Sequence, residues 1–236
     1  MNILALDTTG PVAGVALMQQ GVITHEITAC HGLTHSQTLM TLVDETLSAA
    51  QLTAEALDLI ACVAGPGSFT GVRIGVCAAR ALSHAWGVSC ARLDALEVLA
   101  MGAYGFEGLI CPILDARRGQ VYSAAFSFCE GDAPVRRIED GARALEDFAL
   151  MLPAGAPLLF TGDGVAAYAK TLADMLGARA RFAPPHMRYL RAAAACTLAQ
   201  ARPDARVELG ALTPIYLRAP QAERERARRL KEAQDG

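Results

Sequence analysis

Residues 65–75 form the stretch of this chain whose residue types and spacing are most typical of a binding loop. They read Gly-Pro-Gly-Ser-Phe-Thr-Gly-Val-Arg-Ile-Gly and separate an apolar run, 59–64, from a helix-like run, 70–86. A strand, a glycine-rich turn and a helix N-terminus in this order leave backbone N–H groups free to face an anion or another backbone. The pattern therefore predicts either a phosphate-binding loop or a turn packed closely against its surroundings.

A second candidate element is the end of the first predicted strand, residues 2–7, where Asp7 is followed by Thr8 and Thr9. This strand end resembles the phosphate-binding strand ends of the actin, hexokinase and Hsp70 class, in which the Asp positions a metal ion or water. An Asp at such a place also commonly caps its own turn. The residues that we assign to a vestigial nucleotide-binding site are Asp7, Thr8, Thr9, Gly65, Gly67 and Ser68.

The same two stretches do not favour catalytic use of ATP. No Lys lies between Gly65 and Trp86 to meet phosphate charge, where the cations are Arg73 and Arg80. The first loop also lacks the close pair of glycines that lets a backbone wrap a phosphate.

Small residues form a stripe on the helix-like run 70–86, where Gly71, Gly75 and Ala79 recur every fourth residue. Glycine in a helix costs roughly 1 kcal/mol relative to alanine, so two glycines on one face indicate close packing. The packing partner is either internal or another subunit, and we favour another subunit.

Two other clusters of residues could bind a metal ion or a phosphate, but each also has a simpler structural explanation. His31 and His35 are four residues apart and could share a metal ion on a helix, but Gly32 follows His31 and no third ligand is evident. Arg117 and Arg118 follow Asp115 in a predicted hairpin, where they could bind phosphate or cover a tight turn. We favour solvent-facing or capping histidines and surface arginines.

Composition limits the class of protein. The chain has 236 residues, is 53% hydrophobic and 19% charged, and has no apolar run near the roughly 18 residues of a membrane helix. Its seven cysteines are odd in number and form no C-x-x-C pair, which indicates reduced thiols and a cytoplasmic protein. A net charge of −3 argues against a protein that grips nucleic acid alone.

The order of predicted elements repeats within the chain. In the first half, three strands precede a helix, a strand, a glycine loop and a helix, and the second half restarts with a strand ending at Asp115, the counterpart of Asp7. A strand at 157–161 then leads into Gly162-Asp163-Gly164 and a helix. We therefore predict an α/β fold of two duplicated βββαβα lobes, the second trimmed: residues 1–104, residues 105–217, and a charged, solvated tail, 218–236.

Several of these stretches occur in the order found in the TsaB (YeaZ) family, the non-catalytic paralogues of TsaD. The glycine run is the specific motif, and the supporting ones are 3–8, His35, Asp115-Ala-Arg117 with Val121-Tyr122, 162–164 and 214–218. The resemblance covers about residues 2–218. It implies the actin-like ATPase fold (ASKHA, ribonuclease H-like), with mixed sheets flanked by helices.

The resemblance also implies a function without catalysis. TsaD binds a metal through His-x-x-x-His after its glycine-loop helix, and the corresponding stretch here, 92–99, has no histidine. The family's role implies an accessory subunit that binds TsaD, and with it TsaE. The complex transfers threonylcarbamoyl to the adenosine beside the anticodon of tRNAs that read codons beginning with adenine. The alternative is a small-molecule kinase or ATPase of the actin-like class.

The implied assembly is a heterodimer with TsaD and a homodimer when the chain is alone, with tRNA held only through the complex and no membrane contact. No intrinsic cofactor is implied, although a nucleotide at or near the TsaD interface is compatible with the resemblance. We expect helices 36–50 and 70–86 to form the partner surface, so that Gly75→Arg leaves the chain folded but abolishes TsaD binding. The interface residues on this hypothesis are His35, Leu39, Met40, Val43, Phe69, Gly71, Val72, Arg73, Gly75, Val76 and Ala79.

Overall fold

Three antiparallel strands open the first half of the chain, and two parallel strands extend the same sheet. The computed structural model describes residues 1–30, 32, 34–129 and 131–218, so His31 and the predicted tail beyond Arg218 lie outside the described residues. The elements of the first half are β1 (Asn2–Asp7), β2 (Ala13–Gln19), β3 (Val22–Ala29), α1 (His35–Ala49), β4 (Leu59–Val63), α2 (Phe69–Trp86), β5 (Ser89–Leu93) and α3 (Ala95–Met101).

The side chains of β1 alternate between the two faces of this sheet, and both faces are covered. Ile3 and Ala5 face one side of the sheet and Leu4 and Leu6 face the other, and all four side chains are fully buried. β1 is antiparallel to β2 and parallel to β4, which is parallel to β5. A strand buried on both faces forms the centre of its sheet, with β3 at one edge.

The second half repeats this arrangement. Its elements are β6 (Leu109–Asp115), β7 (Gln120–Ser127), β8 (Val135–Ala144), α4 (Leu145–Met151), β9 (Leu158–Thr161), α5 (Gly164–Leu176) and β10 (Ala180–Phe182). The strand order β10-β9-β6-β7-β8 matches β5-β4-β1-β2-β3 of the first sheet. The predicted duplication and the two-lobed actin-like fold are confirmed, and α4, with 7 residues against 15 in α1, shows the trimming of the second lobe.

The last described elements return to the first sheet. β11 (Arg206–Val207) is antiparallel to β5 at its edge, and α6 (Ala192–Ala201) packs on β1 and β2. The Cys196 thiol of α6 donates to the carbonyl oxygens of Ile3 and Ala16, at 3.6 and 3.7 Å. A boundary near residue 104 stays a prediction, but α6 and β11 lie with the first sheet and not with residues 105–182.

The core consists of layers in which helices alternate with sheets. α1 and α2 cover the outer face of the first sheet, and α4 and α5 cover the outer face of the second. Between the two sheets lie α3 and α6, in a cluster that takes Ile3 from the first sheet and Phe126 from the second. Among the described residues no helix is both long and apolar enough to cross a membrane.

Candidate functional site

The two helical glycines of the stripe lie against the end of β1. A Cβ atom at Gly75 would lie 2.5 Å from the Thr8 hydroxyl oxygen, and one at Gly71 would overlap the Thr8 carbonyl oxygen. The Thr8 hydroxyl itself donates to the Gly71 carbonyl oxygen at 2.7 Å. The stripe therefore packs inside the chain, and the expectation that it faces another subunit is wrong.

The other two glycines of the loop, Gly65 and Gly67, also allow neighbouring backbone to approach the loop closely. Gly65 has φ +115°, and a Cβ there would lie 2.5 Å from the Ile215 carbonyl oxygen, while Gly67 lies against the Thr9 carbonyl. The Ser68 amide donates to Thr9 at 2.7 Å, and the Ile215 amide donates to Ala64 at 2.7 Å. These bonds join the loop to the segment after β1 and to the C-terminal segment, and the first of them occupies a backbone N–H that a phosphate-binding loop would leave free.

The Asp7 side chain is buried at the end of β1. Its Oδ1 accepts hydrogen bonds from the Thr9 amide at 2.9 Å and the Thr9 hydroxyl at 2.7 Å, while Oδ2 has no partner. Burial raises the pKa of this carboxyl to about 6, against the lowering effect of the Thr9 hydrogen bonds. Asp7, Thr8 and Thr9 thus bond to the protein itself, so their assignment to a vestigial phosphate site is not supported by their geometry.

A cleft of about 590 Å³ lies between the lobes beside this loop. Gly67 and Ser68 reach it from the first lobe, and Asp115 and Arg117 reach it from the second. Asp115 accepts from the Arg117 amide at 2.8 Å, and Asp163 accepts from the Asp115 amide at 2.9 Å. The cleft could admit an anion at Arg117 or Arg218, but its carboxylates are engaged in loop structure.

The histidine and arginine clusters have structural roles where they are described. The His35 Nε2 lies 2.9 Å from the Gly10 carbonyl oxygen, which ties α1 to the first loop. Arg117 and Arg118 have φ of 64° and 56° and form the β6–β7 turn, where both are exposed. The part of the chain that the structure describes contains no group of three or more His, Cys, Asp or Glu residues able to hold a metal ion.

Most of the predicted interface residues are core residues. Besides the glycines, the side chains buried beneath α1 and α2 are Leu39, Val43, Val72, Val76 and Ala79. Met40 and Phe69 are 48% and 38% exposed, Arg73 is exposed, and His35 is partly buried. A partner could therefore contact only His35, Met40, Phe69 and Arg73 among the predicted residues. The interface hypothesis is wrong for the other seven, which are buried. The signal that sequence reasoning missed is the position of the glycines around the helix. They lie on the same side as the apolar Val72 and Val76, which is the side that packs against the core.

The opposite face of α2 is the one that solvent reaches. Arg73, Cys77 and Ala81 are exposed at every fourth residue, with Ile74 and Ala78 partly buried beside them. α1 packs next to α2 and presents Met40 on the same outer side of the lobe. We name this surface, formed by Met40, Phe69, Arg73, Ile74, Cys77, Ala78 and Ala81, the α1/α2 face.

An aromatic contact links this face to the C-terminal segment. The rings of Phe69 and Tyr216 are stacked with centroids 5.2 Å apart, and the Arg73 guanidinium lies 4.7 Å from the Phe69 ring centroid. Sequence reasoning included Tyr216 only as part of the motif 214–218 and did not place it at the interface, because nothing local relates it to residues more than a hundred positions earlier.

Comparison with known proteins places this architecture in a family. Residues 26–226 match the family model described as TsaD, tRNA N6-adenosine threonylcarbamoyltransferase. The tRNA threonylcarbamoyladenosine biosynthesis protein TsaB of Bacillus subtilis is 32% identical over 94% of this chain and 96% of its own length. The TsaB protein of Escherichia coli is 32% identical over 53% of this chain and 55% of its own length. The crystal structure of YeaZ from Pseudomonas aeruginosa superposes with a TM-score of 0.77 at 25% identity, covering 92% of this chain and 99% of that one.

Proposed function

The chain belongs to the TsaB (YeaZ) family, and from that premise we propose that it takes part in threonylcarbamoyladenosine biosynthesis on tRNA as a non-catalytic subunit. The observation that carries the proposal is the match to a TsaB protein along 94% of the chain. On this proposal the chain is cytoplasmic, binds TsaD and with it TsaE, and meets tRNA only through the complex.

The interior of the candidate site supports a role without catalysis. Both Thr hydroxyls and one oxygen of Asp7 are hydrogen-bonded within the protein. A nucleotide that bound the Thr8 hydroxyl would have to break its bond to Gly71, which fixes α2 to the end of β1, and one that bound the Thr9 hydroxyl would compete with Asp7. For the same reason no observation favours the alternative of a small-molecule kinase or ATPase, and a nucleotide near the TsaD interface would have to use other residues.

We assign partner binding to the α1/α2 face rather than to the buried stripe. Its centre consists of small or apolar side chains, Ile74, Cys77, Ala78 and Ala81, which allow a helix to approach closely. Met40 and Phe69 add exposed apolar area. When the chain is alone, a second copy can cover the same face about a two-fold axis, which gives the proposed homodimer.

The test is a single additional long cation on this face. Ala81→Arg should leave the fold and thermal stability unchanged, because Ala81 is exposed, and should reduce TsaD binding at least about tenfold by placing an unpaired charge in the interface. The matched control is Ala173→Arg, which puts the same side chain on an exposed position of α5 in the other lobe. Binding is measured by calorimetry with the TsaD relative from the same genome, and threonylcarbamoyladenosine in tRNA by complementation of a strain that lacks its own TsaB.

Two results would contradict the proposal in different ways. Full TsaD binding by Ala81→Arg would refute the assignment of the surface and leave the subunit role standing. Failure of the unaltered chain to bind TsaD and to restore the modification would refute the subunit role itself.

A further inference from the structure

A cluster of charged residues joins the two lobes at the N-terminus of α3. α3 begins at Asp94, whose Oδ1 accepts hydrogen bonds from the Leu96 amide at 2.8 Å and the Glu97 amide at 3.0 Å. This carboxylate is the N-cap of a helix that lies between the two sheets. Any group on the second lobe that binds Asp94 therefore holds the lobes together.

Arg136 of β8 is such a group, and it serves a second carboxylate as well. Its Nε donates to the Asp140 Oδ1 at 3.0 Å, and its terminal nitrogen lies 3.7 Å from the Asp94 Oδ1. The guanidinium also stacks on the Phe126 ring, with its carbon 4.9 Å from the ring centroid. One cation thus lies between two carboxylates, one from each lobe.

The charges around this trio do not supply a second cation for the pair. Arg202, after α6, is committed to Glu97 at 2.8 Å and to the Pro134 carbonyl oxygen at 2.9 Å. Glu139 lies beside Asp140 on β8 and adds negative charge. The facing groups are therefore Asp94, Asp140, Glu97 and Glu139 against Arg136 and Arg202, an excess of carboxylates in which all but the exposed Glu139 are partly buried.

This environment favours keeping a proton. Burial raises the pKa of Asp94, and the neighbouring Asp140 raises it further through its charge. Burial also raises the pKa of Asp140, against the opposing charge of Arg136. Two interacting carboxyl groups lose their protons in two steps that belong to the pair, and the second step leaves two anions for one cation.

We propose that Asp94 and Asp140 share one proton and form with Arg136 a lock between the lobes, which holds while the proton is present and loosens when it is lost. The sign follows from the direction of the shifts. A group whose pKa is raised by folding stabilises the contact at low pH, and that contribution falls as pH rises through the raised value.

The lock has a direct route to the glycine loop. The Ala95 amide, next to Asp94, donates to the Gly65 carbonyl oxygen at 2.7 Å, and Gly65 is the first residue of the loop that leads into α2. A shift of α3 relative to β8 therefore acts on the same loop that borders the cleft. The proposal concerns this chain alone and does not depend on the role in tRNA modification.

The experiment follows amide exchange and the carboxyl groups themselves. Hydrogen exchange of the Leu96 and Glu97 amides is measured from about pH 6 to about pH 9, each time relative to amides of α5, which removes the intrinsic pH dependence of exchange. Protection in the unaltered chain should fall on the order of tenfold over this range, because the second ionisation leaves two partly buried carboxylates facing one guanidinium. Asp140→Asn, which cannot ionise, should keep protection constant, and the control Asp174→Asn, at an exposed position of α5, should behave like the unaltered chain.

A second measurement tests the lock without any variant that has to fold. The assigned carboxyl carbon of Asp94, followed by ¹³C NMR in the unaltered chain, should titrate well above the ordinary range of aspartate. Titration of Asp94 within the ordinary range would overturn the proposal. So would equal loss of protection in Asp140→Asn and in the unaltered chain.

Discussion

At the scale of single residues, the clearest case is a carboxyl group that looks catalytic in sequence and is structural in the fold. An Asp at a strand end followed by two hydroxyls fits a phosphate site, and the sequence could not tell which way the three side chains point. The structure turns Asp7 and Thr8 inward, and the one unpartnered oxygen, Asp7 Oδ2, is buried. Such an arrangement costs stability whenever the carboxyl is charged.

This cost gives a prediction for the pH dependence of stability. Folding raises the pKa of Asp7 from 3.8 to about 6, so its contribution to stability is full below its unfolded pKa and is lost as pH rises through about 6. The loss amounts to roughly 3 kcal/mol in the free energy of unfolding above pH 7. Asp7→Asn should remove this part of the pH dependence, whereas Asp44→Asn, an exposed control on α1, should leave it unchanged. Urea unfolding of the three proteins at about pH 5 and pH 8 makes the comparison, and an Asp7→Asn slope equal to that of the unaltered chain would count against the assignment.

At the scale of elements, the spacing of small residues on α2 correctly indicated close packing and misjudged its partner. Every fourth residue is small on two faces of this helix, at Gly71 and Gly75 within the fold and at Cys77 and Ala81 on the outside. Periodicity alone does not distinguish the faces. The positions of Val72 and Val76 do, since a face shared with buried β-branched residues is turned toward the sheet.

The internal stripe predicts the opposite outcome for Gly75→Arg from the one expected from sequence, namely loss of the fold. A milder and more informative change is Gly75→Ala, which should destabilise by about 1–3 kcal/mol because the new Cβ meets the Thr8 hydroxyl oxygen. Thr8→Ala removes that oxygen, so the double variant should be more stable than the sum of the single effects predicts. Gly210→Ala is the control, since nothing lies within 4 Å of a Cβ at that position. If the effects of the two substitutions on the free energy of unfolding were strictly additive, the contact with the Thr8 hydroxyl would not be the reason that position 75 requires glycine.

At the scale of the whole molecule, the order of elements was readable from the sequence and the path of the chain between lobes was not. Apolar runs ended by Asp7, Asp115 and glycine turns predicted the repeated unit, because they are local signals. β8 was not predicted as a separate range, because charged residues such as Arg136 and Asp140 interrupt the alternation of apolar and polar residues that indicates a strand. The return of α6 and β11 to the first sheet depends on contacts across nearly the full chain length, among them that of Cys196 with Ile3, and no local pattern encodes them.

That return predicts that the two lobes unfold together. α3 and α6 pack in one cluster with residues of both sheets, so the lobes share this cluster in addition to the one that each has beneath its outer helices. Trp86, the one tryptophan of the chain, reports on the first lobe by fluorescence, while far-UV circular dichroism reports on both. The two urea transitions should coincide.

Phe126→Ala, in the second sheet, should destabilise by about 3–5 kcal/mol and move the Trp86 transition by the same amount as the dichroism, because the cavity it creates belongs to the shared core. A Trp86 transition that stays in place while the dichroism shifts would show that the first lobe is stable without the second.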